Sequence, residues 1–234
     1  MVCKKTILLD LDGTLLPMEI EVFLKAYFKL LTEEFAGIFE AEKLIKNLII
    51  ATDKMIENNG EKTNKEVFVE NFFALMGVNN EKEKIMKRFD RFYLEKFPLL
   101  RDSAGFSDLP ARLVKKLKEK GYQLVLATNP LFPEEALVER VRWVDIDPEA
   151  FSLITHYENM HYCKPNINYY WEIVDKLRLE PGNCIMIGND VQEDLIAGKL
   201  GMKTYLVTDF LIDRENKEIK AYWQGSFEDL MECF

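Results

Sequence analysis

The chain has 234 residues, of which 48% are hydrophobic, 12% aromatic and 30% charged, a composition typical of a folded globular protein and unlike that of a disordered chain. With 31 basic and 40 acidic residues, its net charge is −9, which argues against a surface that binds nucleic acid or an anionic membrane, because both require clustered Lys and Arg. A small phosphorylated ligand stays compatible with this charge, since one local cationic site can hold it.

The cysteine pattern and the N-terminal segment bear on location. No two of the four cysteines form a C-x-x-C pair, which favours a reduced intracellular protein over a disulfide scaffold or a zinc site. The apolar run after the N-terminal lysines is interrupted by two aspartates, so no signal peptide is predicted. No stretch approaches the roughly 18 apolar residues of a membrane helix. We expect a cytoplasmic protein with no nucleic-acid or membrane partner, either a monomer or a homodimer. The cysteines are Cys3, Cys163, Cys184 and Cys233.

The first predicted element is a short strand at residues 6–10, an apolar run that ends in the polar loop Asp-Leu-Asp-Gly-Thr. Residues 17–100 then differ in character. Pro17 and Pro98 bracket them, ten of the sixteen phenylalanines lie there, and apolar residues recur at helical spacing. The sequence Thr63-Asn-Lys-Glu66 is typical of a capping box at the start of a helix. We predict a compact all-helical insertion after the first strand.

Strands and helices alternate after residue 101. Because strands that alternate with helices form parallel sheets covered on both faces, the predicted fold class is α/β, with a Rossmann-like parallel sheet and helices on both faces. The predicted strands are 122–127, 151–155, 184–187 and 203–207, and the predicted helices are 109–120, 133–141, 165–177 and 192–200.

Polar residues directly follow several predicted strands, which is where open α/β sheets bind their ligands. Carboxylates crowded at one edge of a sheet repel each other unless a divalent cation and a lysine neutralise them. Mg²⁺ prefers oxygen ligands, and a carboxylate-held cation with open positions binds phosphate oxygens. The hydroxyl, amide and ammonium groups nearby can hold the other phosphoryl oxygens. The set comprises Asp10, Asp12, Thr128, Asn129, Lys164, Asp190 and Asp194.

These residues belong to four motifs, and the motifs and their order along the chain resemble those of the haloacid dehalogenase-like hydrolase superfamily over nearly the whole chain. The helical insertion is similar to that family's helical cap. The resemblance implies a hydrolase core of residues 1–16 and 101–234 and a helical cap of residues 17–100, as in phosphatases of this type. The motifs are Asp10-Leu-Asp12-Gly-Thr14, Thr128-Asn129, Lys164-Pro165 and Gly188-Asn-Asp190-x-x-x-Asp194.

The resemblance also implies a role for each matching residue. Asp10 is expected to be the nucleophile that forms an aspartyl-phosphate, and Asp12 the general acid and base. Lys164 and its neighbours are expected to stabilise the phosphoryl group as it transfers. The expected Mg²⁺ ligands are Asp10, the backbone carbonyl of Asp12 and Asp190; the expected phosphate contacts are Thr128, Asn129 and Lys164; and the supporting residues are Asn189 and Asp194.

Asp12 indicates which reaction of the family to expect. Members that cleave carbon–halogen or carbon–phosphorus bonds lack an aspartate two residues after the nucleophile, so its presence favours phosphate esters. We expect a Mg²⁺-dependent phosphohydrolase that acts on a small phosphorylated metabolite. The enzymatic alternative is a phosphomutase of a small phosphosugar, and the non-enzymatic alternative is a regulatory protein phosphorylated on aspartate.

Some residues depart from the family pattern or have simpler explanations. The fourth motif usually begins Gly-Asp, so Asn189 can fill that position, but Asp190 is preferred because a carboxylate is the stronger Mg²⁺ ligand. Lys164 can instead face solvent, and Asp194 can be an acid that favours the first turn of a helix. The apolar sequence at residues 16–18 leaves the substrate open.

Overall fold

The computed structural model describes residues 5–216 and 218–234. Residues 1–4, which include Cys3 and the start of the predicted core, lie outside the described residues. The strands in the described part are β1 (Thr6–Leu9), β2 (Gln123–Leu126), β3 (Leu153–Ile154), β4 (Cys184–Gly188), β5 (Lys203–Val207) and β6 (Trp223–Gly225). They form one sheet in the order β3-β2-β1-β4-β5-β6, and all of its pairings are parallel. The predicted α/β fold with a parallel sheet is confirmed.

β1 lies inside the sheet, between β2 and β4, and its short apolar run is buried throughout. Leu9, its last residue, pairs in register with Leu126 of β2 and with Ile187 of β4. The strand order of the sheet places β2, β1 and β4 side by side, so the loops that follow these three strands meet at one edge of the sheet.

Alternate residues of β1 belong to different apolar clusters. Ile7 and Leu9 pack in one cluster, and Leu8 packs in the other, with Tyr169 and Ile173. The sheet is therefore covered on both faces, as predicted. The helices are numbered along the chain, and α1 to α4 belong to the insertion described next. The helices outside it are α5 (Leu109–Glu119), α6 (Glu134–Arg142), α7 (Ile167–Leu177) and α8 (Phe227–Glu232).

Residues 17–100, which lie between β1 and β2, contain helices and no strand. Phe72 packs against Phe68, Phe73 and Phe89, which shows that the phenylalanines of this segment form its core. The all-helical insertion is confirmed, and the boundaries of a separate cap stay a prediction. The helices are α1 (Ile20–Glu34), α2 (Ala41–Ile56), α3 (Asn64–Met76) and α4 (Lys82–Glu95), followed by a 3₁₀ segment, Phe97–Ser103.

Three elements differ from the sequence predictions. The expected helix at 192–200 is a 3₁₀ segment over Leu195–Leu200, while β6 and α8 were not predicted. Across the described part of the chain, no helix combines the length and apolarity needed to cross a membrane.

Candidate active site

The first motif forms a tight turn at the carboxyl end of β1. The Asp10 N–H donates to the Ile187 carbonyl of β4 at 2.9 Å. Gly13 has a φ of +80°, and a Cβ there would lie 2.3 Å from Nδ2 of Asn189. Only glycine satisfies both conditions, so this turn lets the β1 loop pack directly against the β4 loop.

Lys164 joins two buried carboxylates at this edge. Its Nζ lies 2.9 Å from Oδ1 of Asp10 and 2.6 Å from Oδ1 of Asp194, and the side chains of Lys164 and Asp194 are each 1% exposed. Asp194 approaches this closely because residue 188 is glycine, where a Cβ would lie 2.0 Å from Oδ2 of Asp194. The solvent-facing alternative for Lys164 is therefore wrong.

Burial and the lysine act in opposite directions on this cluster. Burial raises the pKa of Asp10 to about 6 and that of Asp194 to about 6, while Lys164 lowers both. Burial also disfavours the Lys164 ammonium, but the two carboxylates outweigh it and hold the pKa of Lys164 well above its usual value. Near neutral pH the cluster therefore holds one cation between two carboxylates.

Asp12 has a different cationic partner. Its Oδ2 lies 2.5 Å from Nη1 of Arg140, which is 1% exposed, and its buried Oδ1 has no hydrogen-bond partner among the described residues. The guanidinium lies 4.6 Å from the centre of the Phe132 ring. No motif points to Arg140. The available signal is its position on α6, three residues after Leu137 and four after Ala136, which places it on the buried face of the helix.

Thr128 and Asn129 follow β2, and hydrogen bonds fix both. Thr128 is 2% exposed, and its carbonyl accepts from the Tyr169 hydroxyl at 2.9 Å. The Lys164 N–H donates to Oδ1 of Asn129 at 3.2 Å, and Nδ2 of Asn129 donates to Oε2 of Glu193 at 3.1 Å. The second and third motifs are thus joined to each other.

Asn189 and Asp190 have different surroundings. The Thr14 hydroxyl lies 3.0 Å from Oδ1 of Asn189 and 3.3 Å from Oδ2 of Asp10, so one hydroxyl links the amide to the expected nucleophile. Oδ1 of Asp190 accepts the N–H groups of residues 192 and 193, and its Oδ2 lies 2.6 Å from Nη1 of Arg214. These hydrogen bonds also turn the backbone before Asp194.

Seven of the eight expected site residues line one cavity of about 450 Å³, and Lys164 lies behind its partners Asp10 and Asp194. Motif reasoning missed four charged residues of this lining: Glu19, Glu193, Asp209 and Arg214. Within the described residues, Arg214 is the one basic side chain of the lining. The carboxylates that line it are Asp10, Asp12, Glu19, Asp190, Glu193, Asp194 and Asp209.

Oxygen donors of this kind suit Mg²⁺. A cavity lined by this many carboxylates can hold a divalent cation, and the buried Oδ1 of Asp12 has no hydrogen-bond partner among the described residues. The described residues nevertheless contain no group of three or more His, Cys, Asp and Glu side chains already arranged around a metal position. Five of the lining carboxylates are instead ion-paired: Asp10 and Asp194 with Lys164, Asp12 with Arg140, and Asp190 and Glu193 with Arg214.

Comparison with known proteins finds a matching family and relatives that carry phosphatase names. The family model for haloacid dehalogenase-like hydrolases matches residues 4–201. The D-glycero-beta-D-manno-heptose-1,7-bisphosphate 7-phosphatase of Haemophilus influenzae is 27% identical over 153 residues, which cover 55% of this chain and 83% of that protein. The glyceraldehyde 3-phosphate phosphatase of Methanothermobacter thermautotrophicus is 25% identical over 182 residues, 77% of this chain and 74% of that protein.

Solved structures share the fold over the full length. A predicted phosphoglycolate phosphatase from Haemophilus somnus has a TM-score of 0.60 at 18% identity, with 100% of this chain and 99% of that chain covered. A dehalogenase has a TM-score of 0.58 at 14% identity, with 100% of this chain and 98% of that chain covered.

Proposed function

The chain belongs to the haloacid dehalogenase-like hydrolase family, and we propose that it is a Mg²⁺-dependent phosphohydrolase that cleaves a small phosphomonoester. The observation that carries this proposal is the arrangement at the end of β1. A carboxylate paired with a buried lysine and a second carboxylate two residues along face the same acidic cavity. Two relatives that carry phosphatase names support the same reaction class.

In the first step, a carboxylate oxygen of Asp10 attacks phosphorus, and the bond between phosphorus and the ester oxygen breaks. Asp12 gives its proton to the leaving alkoxide. In the second step, Asp12 removes a proton from a water molecule, which attacks phosphorus, and the bond to Asp10 breaks to release phosphate. Asp12 lies beside the nucleophile in the chain, and its partner Arg140 fixes the orientation of the carboxyl group that must be protonated for the first step and ionised for the second.

The other residues hold the phosphoryl group. Lys164 neutralises charge beside Asp10, and Asp194 fixes its ammonium at 2.6 Å. Thr128 and Asn129 line the cavity from the β2 side, and we assign them to bind phosphoryl oxygens.

Mg²⁺, when bound, would neutralise the acidic cavity and polarise the phosphate ester. We propose that the Asp10 carboxylate and the Asp12 backbone carbonyl hold it. Asn189 is our preferred side chain for the next position, because a single hydroxyl already links its amide to Asp10. Asp190, which the sequence favours, is a ligand only if Arg214 releases it.

We further propose that residues 17–100 act as a cap over a core of residues 1–16 and 101–234. Met18, Ile20 and Leu24 line the same cavity as Asp10. Phe97 at the end of the insertion stacks on Trp143, with ring centres 5.7 Å apart. The insertion therefore forms part of the wall around the reacting groups, where it can select substrates by size.

Phosphate release from a panel of phosphomonoesters tests this function. We expect release with Mg²⁺, loss of release in excess chelator, and no release by Asp10→Asn. The matched control is Asp175→Asn, because Asp175 is an exposed aspartate of α7. Full turnover in chelator or by Asp10→Asn would contradict the proposal. Transfer of the phosphoryl group to another position of the same sugar, without release, would indicate the phosphomutase.

A further inference from the structure

A second cavity lies among the inserted helices, beside the acidic one. It measures about 350 Å³, and its lining comes from α1 to α4 together with residues 131, 132 and 157. Ile49 and Asp53 of its lining are exposed, so the cavity is open to solvent and a ligand can enter it. Cavities with apolar walls bind apolar groups readily, because water gains little there.

The walls of this cavity, which we call the aromatic cavity, are mainly apolar and aromatic. Within the described residues, no basic side chain lines it, and its one charged side chain, Asp53, is exposed to solvent. Tyr27 and Tyr93 line it, but their hydroxyl groups bond to each other at 2.9 Å. The cavity therefore has no cation for a second phosphate or a carboxylate, and few free polar groups for the hydroxyls of a sugar.

The two cavities share a wall. Leu24, Leu131 and Phe132 line both of them. Leu131 and Phe132 belong to the loop that begins with Thr128 and Asn129, so one loop contacts the phosphate position at its start and the apolar space at its end. Because these three side chains line both cavities, a group attached to a phosphate at Asp10 would pass them to enter the aromatic cavity.

We propose that the aromatic cavity receives the apolar part of the substrate's alcohol, so that the preferred substrate is a phosphomonoester of an alkyl or aryl alcohol and not of a polyol. This inference rests on the proposed phosphohydrolase function. Leu24, Leu131 and Phe132 would then select for substrates whose chain continues beyond the ester oxygen as carbon without hydroxyl groups.

A chain-length series tests the proposal. With Mg²⁺ present, kcat/KM should rise from ethyl to butyl to hexyl phosphate, by up to about fourfold per methylene, which is the fold-change that corresponds to about 0.8 kcal/mol per buried CH₂. Hexyl phosphate should exceed ethyl phosphate at least about tenfold, and propyl phosphate should exceed glycerol phosphate. Equal or falling values along the series would overturn the proposal.

A matched pair of variants locates the effect. Met86 is partly buried in the lining of the aromatic cavity, and Met231 is partly buried on α8, outside both cavities. Met86→Gln should reduce the hexyl-to-ethyl ratio at least about threefold, whereas Met231→Gln should retain the ratio of the unmodified protein. A ratio that both variants retain would contradict the assignment of the cavity.

A binding measurement keeps the test independent of turnover and of whether Met86→Gln folds. Hexylphosphonate, which has no ester bond to cleave, should bind more tightly than ethylphosphonate in titration calorimetry, with the more negative heat-capacity change that marks burial of apolar surface. Hexanol should compete with hexylphosphonate. Equal affinities, or hexanol that binds without competition, would overturn the proposal, the latter by indicating a separate apolar ligand.

Failure of the proposed function and failure of this inference give different results. Absence of phosphate release from every ester, p-nitrophenyl phosphate included, would overturn the proposed function and this inference with it. Release that does not depend on chain length would overturn this inference alone.

Discussion

Two aspartates that are two residues apart have separate surroundings. Asp10 is buried against Lys164, and its pKa is raised by burial to about 6, so most molecules carry the carboxylate at neutral pH. Asp12 is more exposed and pairs with Arg140. Distinct environments for two carboxylates are what a reaction with one nucleophile and one acid–base group requires.

Asp12→Asn should slow phosphate release by about 10²–10⁴-fold, because an amide can neither protonate the leaving alkoxide nor activate the water. Asp175→Asn serves again as the control. Steady-state rates on an alkyl phosphate measure the effect, and a change of less than about tenfold would refute the acid–base role of Asp12.

Arg140→Lys should slow hydrolysis of alkyl phosphates by about 10- to 100-fold, the loss expected when a reacting group is misplaced. Lysine lacks the planar fork that binds Asp12 and lies over Phe132. Formation of the aspartyl-phosphate from p-nitrophenyl phosphate, followed as the initial burst of p-nitrophenolate, should fall much less, because this leaving group needs little protonation. Arg142→Lys is the control, since Arg142 is 63% exposed on the same helix. Equal losses on both esters would show that Arg140 has only a structural role.

The sequence predicts the motif residues but not all of their partners. Asp10 and Asp194 follow strands with clear apolar patterns, β1 and β4, whereas Lys164 precedes α7 and is identified by the Lys164-Pro165 motif. The sequence does not identify Arg140 as a site residue, because a charged side chain in an amphipathic helix is usually solvated. Only the register of α6, once the helix is packed, turns this arginine toward Asp12.

Among the elements, α3 illustrates local control of structure. The hydroxyl of Thr63 accepts the Glu66 N–H at 3.2 Å, and Oε2 of Glu66 accepts the Thr63 N–H at 2.8 Å. This is the predicted capping box, and α3 begins at the next residue, as the box requires.

Thr63→Ala should lower the free energy of unfolding by about 1 kcal/mol, because the cap is lost at an exposed helix end. Thr63→Ser, which retains the hydroxyl, should lose much less. Urea denaturation of the three proteins measures the difference. Equal stability of Thr63→Ala and the unmodified protein, or an equal loss in Thr63→Ser, would contradict the cap's contribution.

Elements whose shape depends on tertiary contacts are the ones the sequence predicts poorly. The apolar spacing at 192–200 predicts a helix, but Asp190 and Asp194 use their side chains to bind neighbouring N–H groups and Lys164. These contacts replace the first helical turn, and only the 3₁₀ segment Leu195–Leu200 remains. β6 has three residues, and its strand character comes from pairing with β5.

At the scale of the whole molecule, the acidic site should affect stability. The pKa values of Asp10 and Asp194 are raised by burial to about 6, above their ordinary values near 4. Between about pH 4 and 6 the folded protein therefore holds more protons on these groups than the unfolded chain does. Their contribution to stability is greatest at the acid end of this range and is lost as the pH rises to about 6, by about 1.4 kcal/mol per unit of pKa shift.

Asp194→Asn should weaken this pH dependence in the metal-free protein, because it removes one of the two titrating carboxyl groups. Lys164 then has Asp10 as its one remaining carboxylate partner and lowers the pKa of Asp10 further. Urea denaturation in chelator at several pH values between about 4 and 6 measures the slopes. Asp175→Asn should retain the original slope. A slope that Asp194→Asn leaves unchanged would show that burial of this carboxylate does not set the dependence.

The most direct test of the account is the chemical identity of the phosphorylated residue. Asp12→Asn protein with Mg²⁺ and p-nitrophenyl phosphate should accumulate the aspartyl-phosphate, because the ester needs little acid to react but the water then lacks its base. Acid quench, borohydride reduction of the acyl phosphate and peptide mass spectrometry should find homoserine at position 10. Phosphate release with an unmodified residue 10, or a phosphorylated residue elsewhere, would contradict the claim that the reaction proceeds through Asp10.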